Sequence, residues 1–126
     1  MLKISRNKFE GLVARAIETL PPFFREKLQN VEVVIEDAPG AEMLEEMGMD
    51  PKRDTLYGLY EGTPLTERDS TEAWQLPDKI TIFRVPLLED CGSEKELVEE
   101  VQITVVHEFA HFFGIEEDAL EEMGWD

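Results

Sequence analysis

The chain holds only two histidines, His107 and His111, and they stand four residues apart with a carboxylate beside the first: His107-Glu108-Phe109-Ala110-His111. Residues i and i+4 of an α-helix share a face, so two neutral imidazoles at this spacing can grip one tetrahedral metal ion. Glu108 then reaches toward water on that ion as a general base, not as a ligand. The expected chemistry is hydrolysis. With zinc making water nucleophilic near neutral pH and polarising a carbonyl, Glu108 takes the proton as water attacks and passes it to the leaving amine. The competing reading is a pair of ordinary core or surface histidines. Ile103, Val105, Val106, Phe109, Ala110, Phe112 and Phe113 surround the motif, so its helix is expected to be largely buried. A buried imidazole without a partner costs about 1–3 kcal/mol, and a shared metal would satisfy both rings at once.

Two histidines leave such a site one ligand short, because catalytic zinc normally takes three protein ligands and keeps a fourth position open. Only residues 112–126 follow His111, too short a stretch for a long downstream helix, so the third ligand is expected close by or upstream. Gly114 can take a positive φ at no steric cost, which lets the helix stop and the chain turn back. Glu117 lies three residues further on, giving H-E-x-x-H-x-x-G-x-x-E, the metzincin spacing with a carboxylate in place of its third histidine. Glu117 is therefore the first choice for third ligand, Asp118 the second, with Glu116 and Glu121 behind them. Together with Glu122 these residues make a charge run, and such runs are usually solvated.

A longer stretch of the chain carries a resemblance. Leu76-Pro77-Asp78-Lys79-Ile80-Thr81-Ile82-Phe83-Arg84-Val85-Pro86-Leu87-Leu88, a short acidic helix start, and then Thr104-Val105-Val106-His107-Glu108-Phe109-Ala110-His111-Phe112-Phe113-Gly114-Ile115 resemble the small bacterial minimal-zincin, metallopeptidase-like family. Pro64-Leu65-Thr66-Glu67-Arg68, following Tyr57-Gly58-Leu59-Tyr60-Glu61-Gly62, resembles it as well. The likeness spans roughly the last two thirds of the chain and is most specific in its closing motif. It implies a compact zincin core with zinc held by His107, His111 and an acidic residue after Gly114. It implies little about substrate.

The resemblance also suggests a use for a sheet edge beside the metal cleft, where an extended peptide could pair by strand addition. Residues 55–61 are the candidate edge, since Gly58 and Gly62 and the flanking turns suit a border; an ordinary hairpin strand is the equal alternative. A second donor for the oxyanion could come from Tyr57, Tyr60 or Arg84. Met123 would lie beneath the metal if it acted as a metzincin Met-turn does, or else is a core methionine. Three function classes follow: a zinc metallopeptidase acting on peptides or small proteins, a zinc-binding regulatory or structural module without turnover, and an acidic interaction protein without metal. Glu108 favours the first, because it has no ligand duty to explain its presence.

The elements that must position these residues can be read from periodicity. Phe9, Leu12, Val13, Ala16, Ile17 and Leu20 fall at helical spacing and predict an amphipathic first helix that Pro21-Pro22 ends. Residues 23–29 suggest a short second helix, and 31–36 are β-branched enough for a strand closed by Ala38-Pro39-Gly40. Residues 41–47 read as a short helix stopped at Gly48, and a polar turn at 50–54 leads into the strand at 55–61. Residues 68–75 read as a flexible loop. The clearest strand is 79–85, apolar on both faces and stopped by Pro86. Ser93 and Glu96 predict a capping box for a motif helix over 94–113, with another short helix over 116–123. The expected fold is α+β: a small zincin-like core whose twisted mixed sheet of three to four strands packs against the N-terminal helix and the HExxH helix.

Composition fits one domain over residues 1–126, with 42% hydrophobic residues to fill one core and no composition break. The single cysteine, Cys91, excludes an internal disulfide and suggests a reducing, cytoplasmic compartment. Lys3, Arg6, Lys8, Glu10 and Arg15 interrupt the N-terminal stretch, and no apolar run of membrane or secretory length occurs. With 29 acidic against 12 basic residues, the net charge of −17 disfavours a grip on nucleic acid. The acidic residues are spread along the chain, which suits a solvated surface; the sharper alternative is attraction to basic peptides or mimicry of nucleic acid. The expected partner is a peptide or small protein met by a monomer, with neither nucleic acid nor membrane.

Overall fold

The structure, a computed structural model, describes residues 1–62 and 78–125, without the side chain of Glu117. The first helix, α1 (Arg6–Glu18), begins where Ser5 Oγ accepts a hydrogen bond from the Lys8 amide at 3.1 Å. Its Phe9, Leu12, Val13 and Ala16 recur at helical spacing and are buried, so the predicted stripe is the core face. Pro21 caps and Pro22 opens α2 (Pro22–Lys27), a first-turn position where the missing amide hydrogen costs nothing.

Among the described residues, three strands form one sheet in the order β1 (Val31–Glu36), β3 (Asp78–Phe83), β2 (Gly58–Glu61). Strand β1 runs parallel to β3, from Val31 opposite Asp78 to Glu36 opposite Phe83, and β2 runs antiparallel, with Tyr60 opposite Ile80. The sheet is thus mixed and the fold α+β, as the periodicity predicted. Central β3 explains its sequence: Ile80, Thr81, Ile82 and Phe83 are all buried, because a middle strand is covered on both faces. Helix α3 (Ala41–Glu46) lies between β1 and β2 in the chain and ends as expected at Gly48, which has φ 78°.

One predicted strand end is wrong. The chain does not extend to Val85 but turns into a helix, α4 (Arg84–Asp90), with Pro86 in its third position. Proline breaks a helix only when its missing amide and its ring interfere with a preceding turn; in the first turn there is none. The helix then buries Pro86, Leu87 and Leu88. The expected strand at 55–61 is also shorter, although the Tyr57 carbonyl still accepts from the Phe83 amide at 2.9 Å. The expected loop at 68–75 and the segment 64–68 lie outside the described residues.

The long helix α5 (Glu94–Phe112) starts at Ser93, whose Oγ accepts from the Glu96 amide at 3.1 Å. The reciprocal bond of the capping box goes one residue upstream, from the Gly92 amide to Glu96 Oε2 at 3.0 Å. Leu97, Val101, Val105, Val106, Phe109 and Ala110 are buried, and the helix packs against α1 and β2. The approach to β2 depends on Gly58: a Cβ there would lie 2.8 Å from Thr104 Cγ2 and 3.0 Å from the Thr81 carbonyl oxygen. Glycine at this position lets the helix lie directly on the edge strand. The last helix is α6 (Glu117–Glu122). Among the described residues no helix is long and apolar enough to cross a membrane.

Candidate metal centre

His107, Glu108 and His111 occupy the last two turns of α5, and together with Ile115 and Leu120 they line one cavity of about 250 Å³. The i, i+4 spacing places both imidazoles on its wall, as predicted. His107 and Glu108 are half-buried and His111 is exposed. The opposite wall exists because the helix stops where the sequence suggested. Gly114 takes φ 72°, the Ile115 amide reaches back to the Ala110 carbonyl at 2.8 Å, and the chain reverses into α6. That six-to-one bond across a left-handed glycine is the Schellman stop.

Glu108 leans against the sheet edge. Its Oε1 accepts a hydrogen bond from the Tyr60 main-chain amide at 3.3 Å. The strand register explains why that amide is there. Tyr57 bonds to Phe83 across the β2–β3 ladder, and antiparallel pairs alternate between bonded and non-bonded positions, so Leu59 and Glu61 face β3 with their main-chain groups. Gly58 and Tyr60 turn theirs away from β3, and the Tyr60 amide goes to Glu108. Burial raises the Glu108 carboxyl above its ordinary pKa, while the Tyr60 amide and the two histidines pull it back down. Desolvation is the largest influence, as expected for a carboxylate set between a helix and a strand.

The donors suit zinc in kind, two neutral imidazoles on one cavity wall with a carboxylate between them in sequence. Among the described residues no group of three or more His, Cys, Asp or Glu side chains stands close enough to hold a metal ion. The preferred third ligand, Glu117, is the first residue of α6, on the far side of the Gly114 turn, and its side chain lies outside the described residues. Asp118, Glu116 and Glu121 are exposed and are not among the residues lining the cavity.

The three candidate oxyanion donors lie elsewhere. Tyr57 donates its phenol hydrogen to Asp90, Tyr60 bonds through its hydroxyl to Asp78 at 2.6 Å, and Arg84 Nε lies 3.1 Å from Asp37. Tyr60 contributes to the site through its main chain instead, its ring packing against Phe112 with centroids 4.5 Å apart. Met123 is 42% exposed, which does not suit a residue buried beneath a metal. One contact carried no sequence signal at all: His107 Nε2 lies 2.6 Å from the main-chain oxygen of Trp125.

No functionally curated protein matches the chain. A conserved hypothetical protein from Thermus thermophilus shares the fold, with a TM-score of 0.55 and 24% identity over 97% of this chain and 100% of that one. A family model described as zincin-like metallopeptidase matches residues 28–125, from the end of α2 through the motif helix and α6, so the chain belongs to the zincin-like metallopeptidase family.

Proposed function

We propose that the protein is a zinc-dependent peptidase in which His107, His111 and Glu117 hold the metal and Glu108 is the general base. The observation that carries this reading is the bond from the Tyr60 amide to Glu108 Oε1. It holds a half-buried carboxylate against β2 and next to the two motif histidines, which supports the role of general base. Zinc, when bound, supplies Lewis acidity toward a carbonyl and makes water a nucleophile near neutral pH. Glu108 accepts the proton of the attacking water and returns it to the leaving amine.

The test is metal content by mass spectrometry with peptide turnover measured alongside. One zinc per chain is expected, lost in His107→Ala and weakened in Glu117→Ala. Glu108→Gln is expected to keep the zinc and lose turnover. A protein that takes up no zinc on reconstitution overturns the reading. The second reading is a module that binds zinc without turnover, favoured by the Trp125 carbonyl that already engages His107. An active wild type silenced by Glu108→Gln excludes it.

A further inference from the structure

On the side away from β2 the sheet ends in β1, whose outward main-chain groups follow from the two ladders. Lys79, Thr81 and Phe83 of β3 turn their main chain to β2, so Ile80 and Ile82 turn theirs to β1 and meet the groups of Glu32, Val34 and Glu36. Val31, Val33 and Ile35 are left facing outward. Two bonds agree with this: the Val31 amide donates to the Leu28 carbonyl at 3.1 Å, and Arg6 Nη2 donates to the Ile35 carbonyl at 2.8 Å. Among the described residues no partner stands against the Val33 amide and carbonyl, the Ile35 amide or the Val31 carbonyl.

The same border is apolar on its helix side. Val33 and Ile35 line, with Val13, Ala14 and Ile17 of α1, a groove of about 410 Å³ that Glu10 and Glu18 also border. Val33 is 38% exposed there. Proteins ordinarily blunt a sheet edge with lysine, proline, a bulge or a very short strand. Strand β1 is six residues long, pairs with β3 without a bulge, and contains neither lysine nor proline. Its carboxylates, Glu32 and Glu36, alternate with Val33 and Ile35 and so project from the face opposite the groove.

We propose that β1 pairs with β1 of a second copy of this chain, antiparallel about a twofold axis at Val33, in place of the monomer expected from the sequence. The edge is complementary to itself in that register. The two Val33 residues exchange both main-chain bonds, and each Ile35 amide donates to the partner's Val31 carbonyl. The remaining couple would be the Val31 amide and the partner's Ile35 carbonyl, and these are the groups that Leu28 and Arg6 already satisfy. Moving the axis to Glu32 or Val34 sets a free group against an engaged one, and at Glu32 it also brings two carboxylates face to face. With the axis at Val33, Glu32 stands opposite the partner's Val34, and the partner's Val33 enters the groove over Ala14 and Ile17. The net charge of −17 on each chain opposes the pairing, so salt strengthens it. The bond from the Tyr60 amide to Glu108 lies at the other border of the sheet and is untouched.

The experiment is sedimentation velocity of the full chain in about 0.5 M salt, where the net charge is screened. The weight-average mass is expected to rise from one chain toward two between roughly 5 and 500 μM, and to rise later in low salt. Val33→Lys is expected to weaken association at least about tenfold although it lowers the net negative charge. Met47→Lys makes the same change of charge at an exposed site on the C-cap of α3 and is expected to pair as the wild type does. Circular dichroism checks the fold of both variants. Amide hydrogen exchange read by NMR locates the contact: Val33 and Ile35 are expected to exchange more slowly as concentration rises, while Val31, bonded to Leu28 in either state, and Val34, bonded to β3, stay unchanged. A single chain at the highest concentration, a Val33→Lys variant that pairs like the wild type, or a dimer that leaves the Val33 and Ile35 amides unprotected overturns the proposal.

Discussion

His107 Nε2 meets the main-chain oxygen of Trp125 at 2.6 Å, so a segment beyond α6 engages one of the two motif imidazoles. The contact is anchored at both ends. Gly124 takes φ 87°, the Trp125 amide bonds to the Leu120 carbonyl at 2.8 Å, and the Trp125 indole sits edge-on to Phe24 with centroids 5.8 Å apart. A neutral imidazole has one donor and one acceptor nitrogen, so the carbonyl requires the proton on Nε2. Metal ligation through that nitrogen requires the opposite.

Magnitudes decide which state wins when zinc is present. A hydrogen bond of this kind is worth about 1 kcal/mol net, whereas a structural zinc site is worth roughly 10 kcal/mol or more. Zinc ligation is therefore expected to displace the carbonyl and shift Trp125 on Phe24. In a Trp74→Phe background, which leaves Trp125 as the sole indole, its emission is expected to change with zinc and to saturate at one equivalent. Stoichiometric zinc uptake with silent Trp125 emission would show that His107 binds the metal without releasing the carbonyl.

Gly58 is expected to be indispensable to the contact between α5 and β2. An alanine Cβ would press on Thr104 Cγ2 and on the Thr81 carbonyl, and the second of these is main chain in the central strand and cannot yield. Overpacking of this kind costs about 1–3 kcal/mol, so Gly58→Ala should lower the urea midpoint accordingly. It should also move the Tyr60 amide off Glu108, seen as a chemical-shift change at Tyr60 much larger than at β1. A variant as stable as the wild type would mean that β2 slides away from the helix at no cost.

How far the site could be read from sequence follows from where its information lies. Side-chain spacing was legible: the histidine pair, the Ser93 cap and the Gly114 stop each follow from local rules, and each stands where those rules put it. The strand at 58–61 was legible only in part: its glycines suited an edge and an ordinary hairpin strand equally, and among the described residues it flanks β3 on one side of the sheet. Two contacts at the site were not, since Tyr60 reaches Glu108 and Trp125 reaches His107 through main-chain atoms that every residue carries. Helix α4 was missed for a different reason. Pro86 stops a strand and also suits a first helical turn, and only the burial of Leu87 and Leu88 against the core distinguishes the two.

Cys91 is expected to be inert. Burial, with Glu100, Glu96 and Asp90 nearby, pushes its thiol up to about 11. At pH 8 that leaves roughly one thiolate in a thousand, against about a quarter for a free cysteine. Alkylation by iodoacetamide should accordingly be roughly two to three hundredfold slower in the native protein than in urea. The sign for stability follows from the same shift. The folded state holds its proton between the unfolded pKa and about 11, so stability declines as pH rises through that window. Cys91→Ala is expected to flatten the alkaline decline, as urea midpoints across the range would show.

Glu108 is expected to weaken the metal-free protein that it equips for chemistry. Its folded pKa is raised by burial, so the folded state favours the protonated carboxyl. Below the unfolded pKa both states are protonated and the residue imposes no charge penalty. As pH rises through the unfolded and then the folded pKa, the carboxylate must be held in a half-buried place and stability falls. Glutamine keeps an oxygen for the Tyr60 amide and never ionises. In the presence of a chelator, Glu108→Gln should therefore have the higher urea midpoint at pH 7, with the difference closing toward pH 4. A wild type at least as stable as the variant at pH 7 would show that Tyr60, His107 and His111 together outweigh desolvation. Gain of stability with loss of turnover in one substitution is the behaviour of a residue placed for its reaction and not for the fold.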